Sequence, residues 1–177
     1  GISDALMCNR YYNLNNGEVI AAGSLVAARG KGIFKVFFQN HLAVCQSLDM
    51  KEVKIWAGDI GKYAWLRYGY VPNQESWKKL KPELTDALDS YRDRLGDNTV
   101  RQVEAALQSD DPKAAWLIAD QREDIDGSPI GYLLINKHSS TWTGALDLTD
   151  PDRLNRCKAY VGFKPEQRQV LENAPIR

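Results

Sequence analysis

Residues 23–57 read GSLVAARGKGIFKVFFQNHLAVCQSLDMKEVKIWA, and they carry the strongest secondary-structure signals of the chain. A β-prone run enters a glycine turn at 29–32, and apolar residues then recur at three- and four-residue spacing. That spacing predicts an amphipathic helix over 33–48. Residues 51–56 alternate polar and apolar, which predicts a half-buried strand. The stretch therefore predicts a unit of strand, turn, helix and strand.

Elements on both sides of this unit extend the prediction. Two β-prone runs, 5–14 and 18–26, flank Asn15-Asn16-Gly17. Asn and Gly both accept positive φ, so this turn predicts a β-hairpin. On the other side, residues 62–68 predict a short helix that ends at Gly69.

Charge is unevenly distributed along the chain. Lys+Arg and Asp+Glu both number 23, so the formal net charge is zero, which disfavours nucleic-acid or membrane binding by the molecule as a whole. Residues 1–72 carry a net +3, residues 73–128 a net −5 and residues 129–177 a net +2. The acidic block is either a solvated outer surface of helices or a wall that attracts a cationic acceptor.

The acidic block, 73–128, predicts two or three helices. Pro82 suits the first turn of one helix, Asp97 or Asn98 suits the cap of a second, and Asp111-Pro112 suits the start of a third. The last block predicts strands at 130–136 and 141–148. Asp150 and Pro151 then predict a C-terminal helix that runs to Gly162.

The glycine turn predicts an anion-binding site. A strand that runs straight into a helix aims unpaired backbone N–H groups and the positive end of the helix dipole at one point, which suits a phosphate. No Gly-Lys-Ser/Thr sequence follows, so the turn differs from a P-loop. A third glycine and a correctly spaced ribose-binding acid are missing, so it also differs from a dinucleotide-binding fingerprint.

Residues 59–72, DIGKYAWLRYGYVP, add a second motif. The order of these elements resembles the acyl-CoA-binding half of the GNAT superfamily of N-acyltransferases. The order is Arg-Gly-Lys-Gly, helix, strand, short helix and Gly-aromatic-x-Pro. The resemblance covers about 50 of the 177 residues, and about 70 with the hairpin. The sequence at 63–70 and 142–148 is also similar to GNAT-like domains found inside large phage proteins.

The resemblance implies an α/β fold for a single domain over 1–177: a mixed, mostly antiparallel sheet with flanking helices, with 73–128 as a helical insertion. It implies a cleft between diverging strands near 26 and 53. It also implies acetyl-CoA as the cofactor, with its pyrophosphate on backbone amides of the first turn. The implied cofactor-binding residues are Val26, Arg29, Gly30, Lys31, Gly32, Ile33, Phe34 and Trp65.

Two of these positions depart from the family pattern. Phe34 stands where the family has a small residue, and Trp65 stands where it usually has a tyrosine acid. Tyr63 and Tyr68 are the nearby tyrosines, and we expect both to lie off the face of the helix that carries Trp65.

The reaction implied by the resemblance is direct attack of an amine on the thioester. The acceptor is a small amine or a basic protein segment, and the candidate general bases are Glu18, Asp59 and Asp147. Asp147, at a strand end, is alternatively a loop-ordering side chain. Tyr63 and Tyr68 complete the set of candidate catalytic residues.

The sequence is also compatible with two other functions. One is a non-catalytic GNAT-like module, a binding or structural part of a larger protein, which Phe34 and Trp65 favour. The other is nucleic-acid binding by a basic and aromatic surface, which the neutral overall charge disfavours. The basic residues for that surface are Arg29, Lys31, Lys35, Lys62 and Arg67.

Histidine and cysteine patterns give no further site. We expect His41 to be a helix residue whose ring nitrogens have hydrogen-bond partners, and Cys45 to be a core thiol. The sequence contains no Gly-x-Ser-x-Gly nucleophile elbow, as a Ser/His/Asp hydrolase would need. Three widely spaced cysteines predict buried thiols, no metal site and a cytoplasmic location, or association with a virion if the parent protein is from a phage. No apolar run approaches the roughly 20 residues of a membrane span, so we expect no membrane partner.

Overall fold

The computed structural model describes residues 7–13, 18–24, 33–59 and 61–162. The chain divides into two compact units. The terminal unit comprises Gly1–Lys54 and Asp147–Arg177, and the central unit comprises Ile55–Leu146. Both helices and strands occur in each, so the predicted mixed α/β class is confirmed.

The terminal unit contains the predicted hairpin and helix. Strands β1 (Met7–Asn13) and β2 (Glu18–Ser24) pair antiparallel, with Asn13 opposite Glu18. Helix α1 (Ile33–Ser47) follows, and β3 (Glu52–Ala57) returns parallel to β2. Their register pairs Glu18 with Glu52 and Ile20 with Lys54. The strand order within this unit is therefore β1-β2-β3.

Helix α7 (Pro151–Val161) completes the terminal unit and has the predicted ends. The Asp150 side chain accepts hydrogen bonds from the amides of Asp152 and Arg153, and Gly162 ends the helix with φ +75°. Helix α7 contacts α1, where Gln39 Nε2 donates to the Val161 carbonyl at 3.5 Å.

The central unit is mainly helical. Its sheet contains the end of β3 together with β7 (Trp142–Asp147) and β4 (Val71–Pro72), in the order β3-β7-β4. Strands β4 and β7 are antiparallel, with Pro72 opposite Gly144. The other elements, in chain order, are α2 (Gly61–Arg67), α3 (Gln74–Tyr91), α4 (Asp97–Gln108), α5 (Ala115–Ala119), the hairpin strands β5 (Asp124–Ile125) and β6 (Ser128–Pro129), and α6 (Ile130–Tyr132), which continues as a π-helix over Leu133–Lys137. Single 3₁₀ turns occur at Arg92–Arg94 and Pro112–Ala114.

Large side chains from several helices form the core of the central unit. Helix α3 buries one face, and Trp77 on that face donates from Nε1 to the Ser109 carbonyl at 3.0 Å. A fully buried leucine or isoleucine contributes about 1.5–3 kcal/mol. The side chains at or below 1% exposure include Trp77, Leu80, Leu84, Leu88, Ile118, Ile130, Leu134 and Trp142.

The predicted strand at 130–136 is wrong, because these residues are helical. Ile130 and Leu134 are both fully buried and four residues apart, which is helical spacing. Short apolar runs do not distinguish a buried strand from a buried helix by sequence pattern. Gly131 lets this helix approach α5: a Cβ at Gly131 would lie 2.4 Å from the Ile118 carbonyl oxygen.

The predicted start of the first acidic-block helix is also wrong. Helix α3 begins eight residues before Pro82, with the Asn73 side chain accepting from the Ser76 amide at 2.8 Å. A proline inside a helix costs about 3 kcal/mol, and burial of Trp77 and Leu80 in the preceding turns offsets that cost. The cap of α4 is Gly96, whereas the sequence pattern favoured Asp97 or Asn98.

Candidate functional site

The β2–α1–β3 unit is the feature that positions the predicted anion site. Helix α1 begins at Ile33 and is 15 residues long. Its first turn carries no acidic side chain. Because β2 and β3 are parallel, the connection between them is a crossover that contains α1. In the sequence, the start of α1 comes after the carboxyl end of β2. Ligands of α/β units bind at the carboxyl ends of parallel strands, close to helix N-termini.

Several predicted cofactor-binding residues fall outside the described part of the chain. Val26, Arg29, Gly30, Lys31 and Gly32 lie in the segment 25–32, as does the predicted cleft mouth. Ile33 and Phe34 form the first turn of α1 and are described by their backbone alone.

The buried face of α1 confirms the amphipathic pattern. Phe38, Leu42 and Cys45 are each at most 2% exposed, and His41 is 1% exposed among them. Both ring nitrogens of His41 lie 3.7 Å from Cys45 Sγ, and its ring centroid is 5.8 Å from that of Phe38. His41 and Cys45 are therefore core residues of the terminal unit, as the sequence predicts.

Asp147 orders the loop after β7. Its Oδ1 accepts from the Thr149 amide at 2.8 Å and from the Thr149 hydroxyl at 2.6 Å. Partial burial opposes ionisation of Asp147, but the two bonds from Thr149 and the charge of Arg153 outweigh it, so the pKa of the carboxyl lies below its ordinary value. This geometry supports the loop-ordering interpretation over the general base.

Replacing Thr149 by alanine should raise the pKa of Asp147, because the carboxylate loses its hydroxyl donor. The depressed pKa stabilises the folded state above the unfolded pKa, and this stabilisation is lost as pH falls through the folded pKa. Acid unfolding of T149A should therefore begin at a higher pH. Carboxyl NMR titration measures the pKa directly; Thr85→Ala is the matched control, and equal Asp147 titrations in T149A and the parent would contradict the assignment.

The other two candidate bases have different environments. Asp59 is exposed, with φ +45°, and its carbonyl accepts from the Lys62 amide at the start of α2. Glu18 is the first residue of β2, next to Glu52 in the parallel register. Glu52 Oε1 lies 3.5 Å from Lys54 Nζ. Asp59 is in the central unit and Glu18 in the terminal unit.

The aromatic residues of the second motif pack within the central unit. The Trp65 ring centroid lies 5.7 Å from that of Tyr68 and 5.0 Å from that of Tyr70. The expectation that Tyr68 lies off the face of Trp65 is wrong, because the two are three residues apart and their rings meet. Tyr68 is only 4% exposed, so its ring is part of the core.

Tyr63 takes part in a polar contact that sequence reasoning missed. Arg122 Nη1 donates to the Tyr63 hydroxyl at 2.8 Å, and the Tyr132 ring meets the Tyr63 ring edge-on at 5.4 Å. Asn136, in the π-helix, donates from Nδ2 to the Tyr132 hydroxyl at 3.1 Å. Arg122 is 59 residues from Tyr63 in the sequence, and no local pattern signals such a pair.

The basic residues available for the nucleic-acid hypothesis are fewer than the sequence suggests. Arg67 forms an ion pair with Asp120, and Lys62 Nζ donates to the Ser139 carbonyl at 2.5 Å. Both cations thus serve contacts inside the central unit.

Acidic side chains of the 73–128 block also form hydrogen bonds within the central unit. Glu123 accepts from the Gly96 amide at 2.8 Å, and its pKa is lowered by the Thr99 hydroxyl first and by that amide second. Glu83 Oε2 accepts from the Ser140 amide at 2.7 Å. Lys81 holds the pKa of Asp110 below its ordinary value by a hydrogen bond of 2.9 Å. The helices of the block are confirmed, and recognition of a cationic acceptor by their charge remains a prediction.

Three comparisons bear on family membership. Family models, curated proteins and solved structures give no match to this chain. Among the described residues, no group of three or more His, Cys, Asp or Glu side chains could hold a metal ion. In the same residues no helix is long and apolar enough to cross a bilayer.

Proposed function

We propose that this chain is an acyl-CoA-dependent N-acyltransferase that binds the coenzyme pyrophosphate at the N-terminus of α1. The observation that carries the proposal is the parallel β2–α1–β3 unit, whose 15-residue helix begins directly after Arg29-Gly30-Lys31-Gly32 in the sequence. The sequence resemblance to the GNAT superfamily also supports it, through the second motif at 59–72.

The residues around the turn suit a pyrophosphate. The first four N–H groups of a helix have no intrahelical partner, and the helix dipole favours negative charge there. Arg29, Lys31 and Lys35 add positive charge within three residues of the turn, and no acid opposes it in the first turn of α1. Gly30 and Gly32 carry no side chain that would keep phosphate oxygens from the backbone.

The bound thioester supplies an activated acyl group, which an amine takes up as the coenzyme thiol leaves. The chain must hold the amine in position and accept its proton. Asp147 is tied to Thr149 and its pKa is lowered, so Glu18 and Asp59 are the better candidates for the base.

Acyl transfer is tested by incubating the protein with acetyl-CoA and a panel of amines. We expect free thiol to appear together with an amine heavier by one acetyl group, both measured by mass spectrometry. Removing the general base should lower the rate by about 10²–10⁴, so one of Glu18→Gln and Asp59→Asn should do so, with Asp111→Asn as the surface control. Coenzyme binding with no acetylated product from any amine would contradict the transferase proposal.

A second candidate function is a non-catalytic GNAT-like module, a binding or structural part of a larger protein. The packing of Trp65 against the buried Tyr68 and Tyr70 favours it, because Trp65 stands where the family usually has a tyrosine acid. This alternative predicts no acetylated amine from the parent, E18Q or D59N proteins.

A further inference from the structure

An open cavity of about 360 Å³ lies beside α4 in the central unit. It is lined by Val100 and by four charged side chains, two of each sign: Arg92, Asp97, Arg101 and Glu104. Sites for small molecules usually have volumes of about 300–1,000 Å³, so the cavity is large enough for a ligand of few atoms.

One wall of the cavity is fixed by an ion-pair network. Arg92 Nη2 lies 2.7 Å from Glu104 Oε1 and 2.9 Å from Asp89 Oδ1. Two hydrogen bonds raise the pKa of Arg92. The bond to Glu104 has the larger effect, and the bond to Asp89 has the next largest. These contacts join the end of α3 to α4, so Arg92 and Glu104 already satisfy each other.

The other two charges are available to a ligand. Asp97 and Arg101 are four residues apart on α4, a spacing that commonly gives an ion pair. Neither side chain makes a hydrogen bond or ion pair with any residue in the described part of the chain. A carboxylate and a guanidinium thus line one small cavity, with Val100, which is 7% exposed, beside them.

We infer that this cavity binds a small zwitterion of the α-amino-acid type. Its carboxylate pairs with Arg101, which can bind both oxygens at once, and its ammonium donates to Asp97. A short aliphatic side chain lies against Val100. A ligand with only one charge makes one of these contacts and leaves the other side chain, Arg101 or Asp97, without a partner. The inference rests on the central unit alone and is independent of the proposed acyl transfer.

L-leucine is the probe, with N-acetyl-L-leucine and L-leucine amide as analogues that each lack one charge. We expect leucine to shift the NMR amide signals of residues 97–104 in a saturable way. Both analogues should bind at least about tenfold more weakly, since a factor of ten corresponds to about 1.4 kcal/mol. Arg101→Gln and Asp97→Asn should each weaken leucine binding by about tenfold or more.

Lys79→Gln is the matched control, because it removes a cation from an exposed position of α3 outside the cavity. It should leave leucine binding unchanged, and circular dichroism verifies that every variant is folded. The inference is overturned if leucine at about 20 mM shifts none of these signals, or if N-acetyl-L-leucine binds as well as leucine. Equal leucine affinities of R101Q, D97N and the parent protein would overturn it as well.

Discussion

Replacing Gly144 by alanine should lower the free energy of unfolding of the central unit by about 3 kcal/mol or more. A Cβ at Gly144 would lie 2.1 Å from the Val71 carbonyl oxygen and 2.8 Å from the Trp142 ring. Val71 belongs to β4, which pairs with β7 at this point, so the neighbour in the way is backbone. The strands must separate to make room, which exposes Val71 and Trp142, both now buried.

Gly131→Ala tests the same principle in the helical part of the unit. Its Cβ would meet three carbonyl oxygens, those of Ile118, Ala119 and Gln121, at 2.4, 3.0 and 3.0 Å. We expect a loss of about the same size, because α6 must move away from α5.

Urea unfolding followed by tryptophan fluorescence measures both effects. All five tryptophans lie in the central unit, so their fluorescence reports on it alone. With an m value of about 1–3 kcal/mol/M, the midpoint should fall by about 1 M or more. Gly96→Ala is the control, because its Cβ would meet only the Glu123 carboxylate at ordinary contact distance, and it should cost about 1 kcal/mol or less. Midpoints for G131A and G144A within the range of this control would contradict the close approaches.

Local sequence patterns predicted the elements whose signals are themselves local. The spacing from Ile33 onwards gave helix α1, and Asp150, Pro151 and Gly162 marked the ends of α7. Gly69 ends α2 as predicted, with φ +85°, and the Tyr70 amide bonds back to the Trp65 carbonyl. Each of these signals depends on residues within one or two turns of each other.

Predictions failed where tertiary packing decides the structure. The run Ile130–Ile135 is helical because Ile130 and Leu134 fill the core, although its composition also suits a strand. Pro82 lies inside α3 because the buried residues before it extend the helix back to Asn73. Tertiary burial of several kcal/mol exceeds such local preferences.

The candidate site was predictable only in its outline. The order of strand, glycine turn, helix and strand follows from sequence, and the structure makes β2 and β3 parallel. The engagement of Asp147 by Thr149 needed coordinates, because short-range hydrogen bonding and catalysis use the same residue types. The Arg122–Tyr63 contact also needed coordinates, because it joins residues far apart in sequence.

The proposed function depends on binding of the coenzyme pyrophosphate at the start of α1. Loss of this binding in a variant of the turn is the second large effect that we expect. Gly30→Glu places a carboxylate against the phosphates and should abolish binding. Gln46→Glu adds the same charge at an exposed position near the opposite end of α1, and it should leave binding intact. The pair separates a local effect at the turn from a change in net charge.

Isothermal titration of acetyl-CoA into the parent, G30E and Q46E proteins is the most direct test. We expect one saturable site in the parent and in Q46E, and no binding heat in G30E. At a hundredfold excess over the dissociation constant, the coenzyme should stabilise the parent by about 2.7 kcal/mol, whereas G30E should gain nothing. Pyrophosphate binding at the start of α1 is contradicted if neither acetyl-CoA nor free CoA binds the parent protein at about 1 mM, or if G30E binds as tightly as the parent.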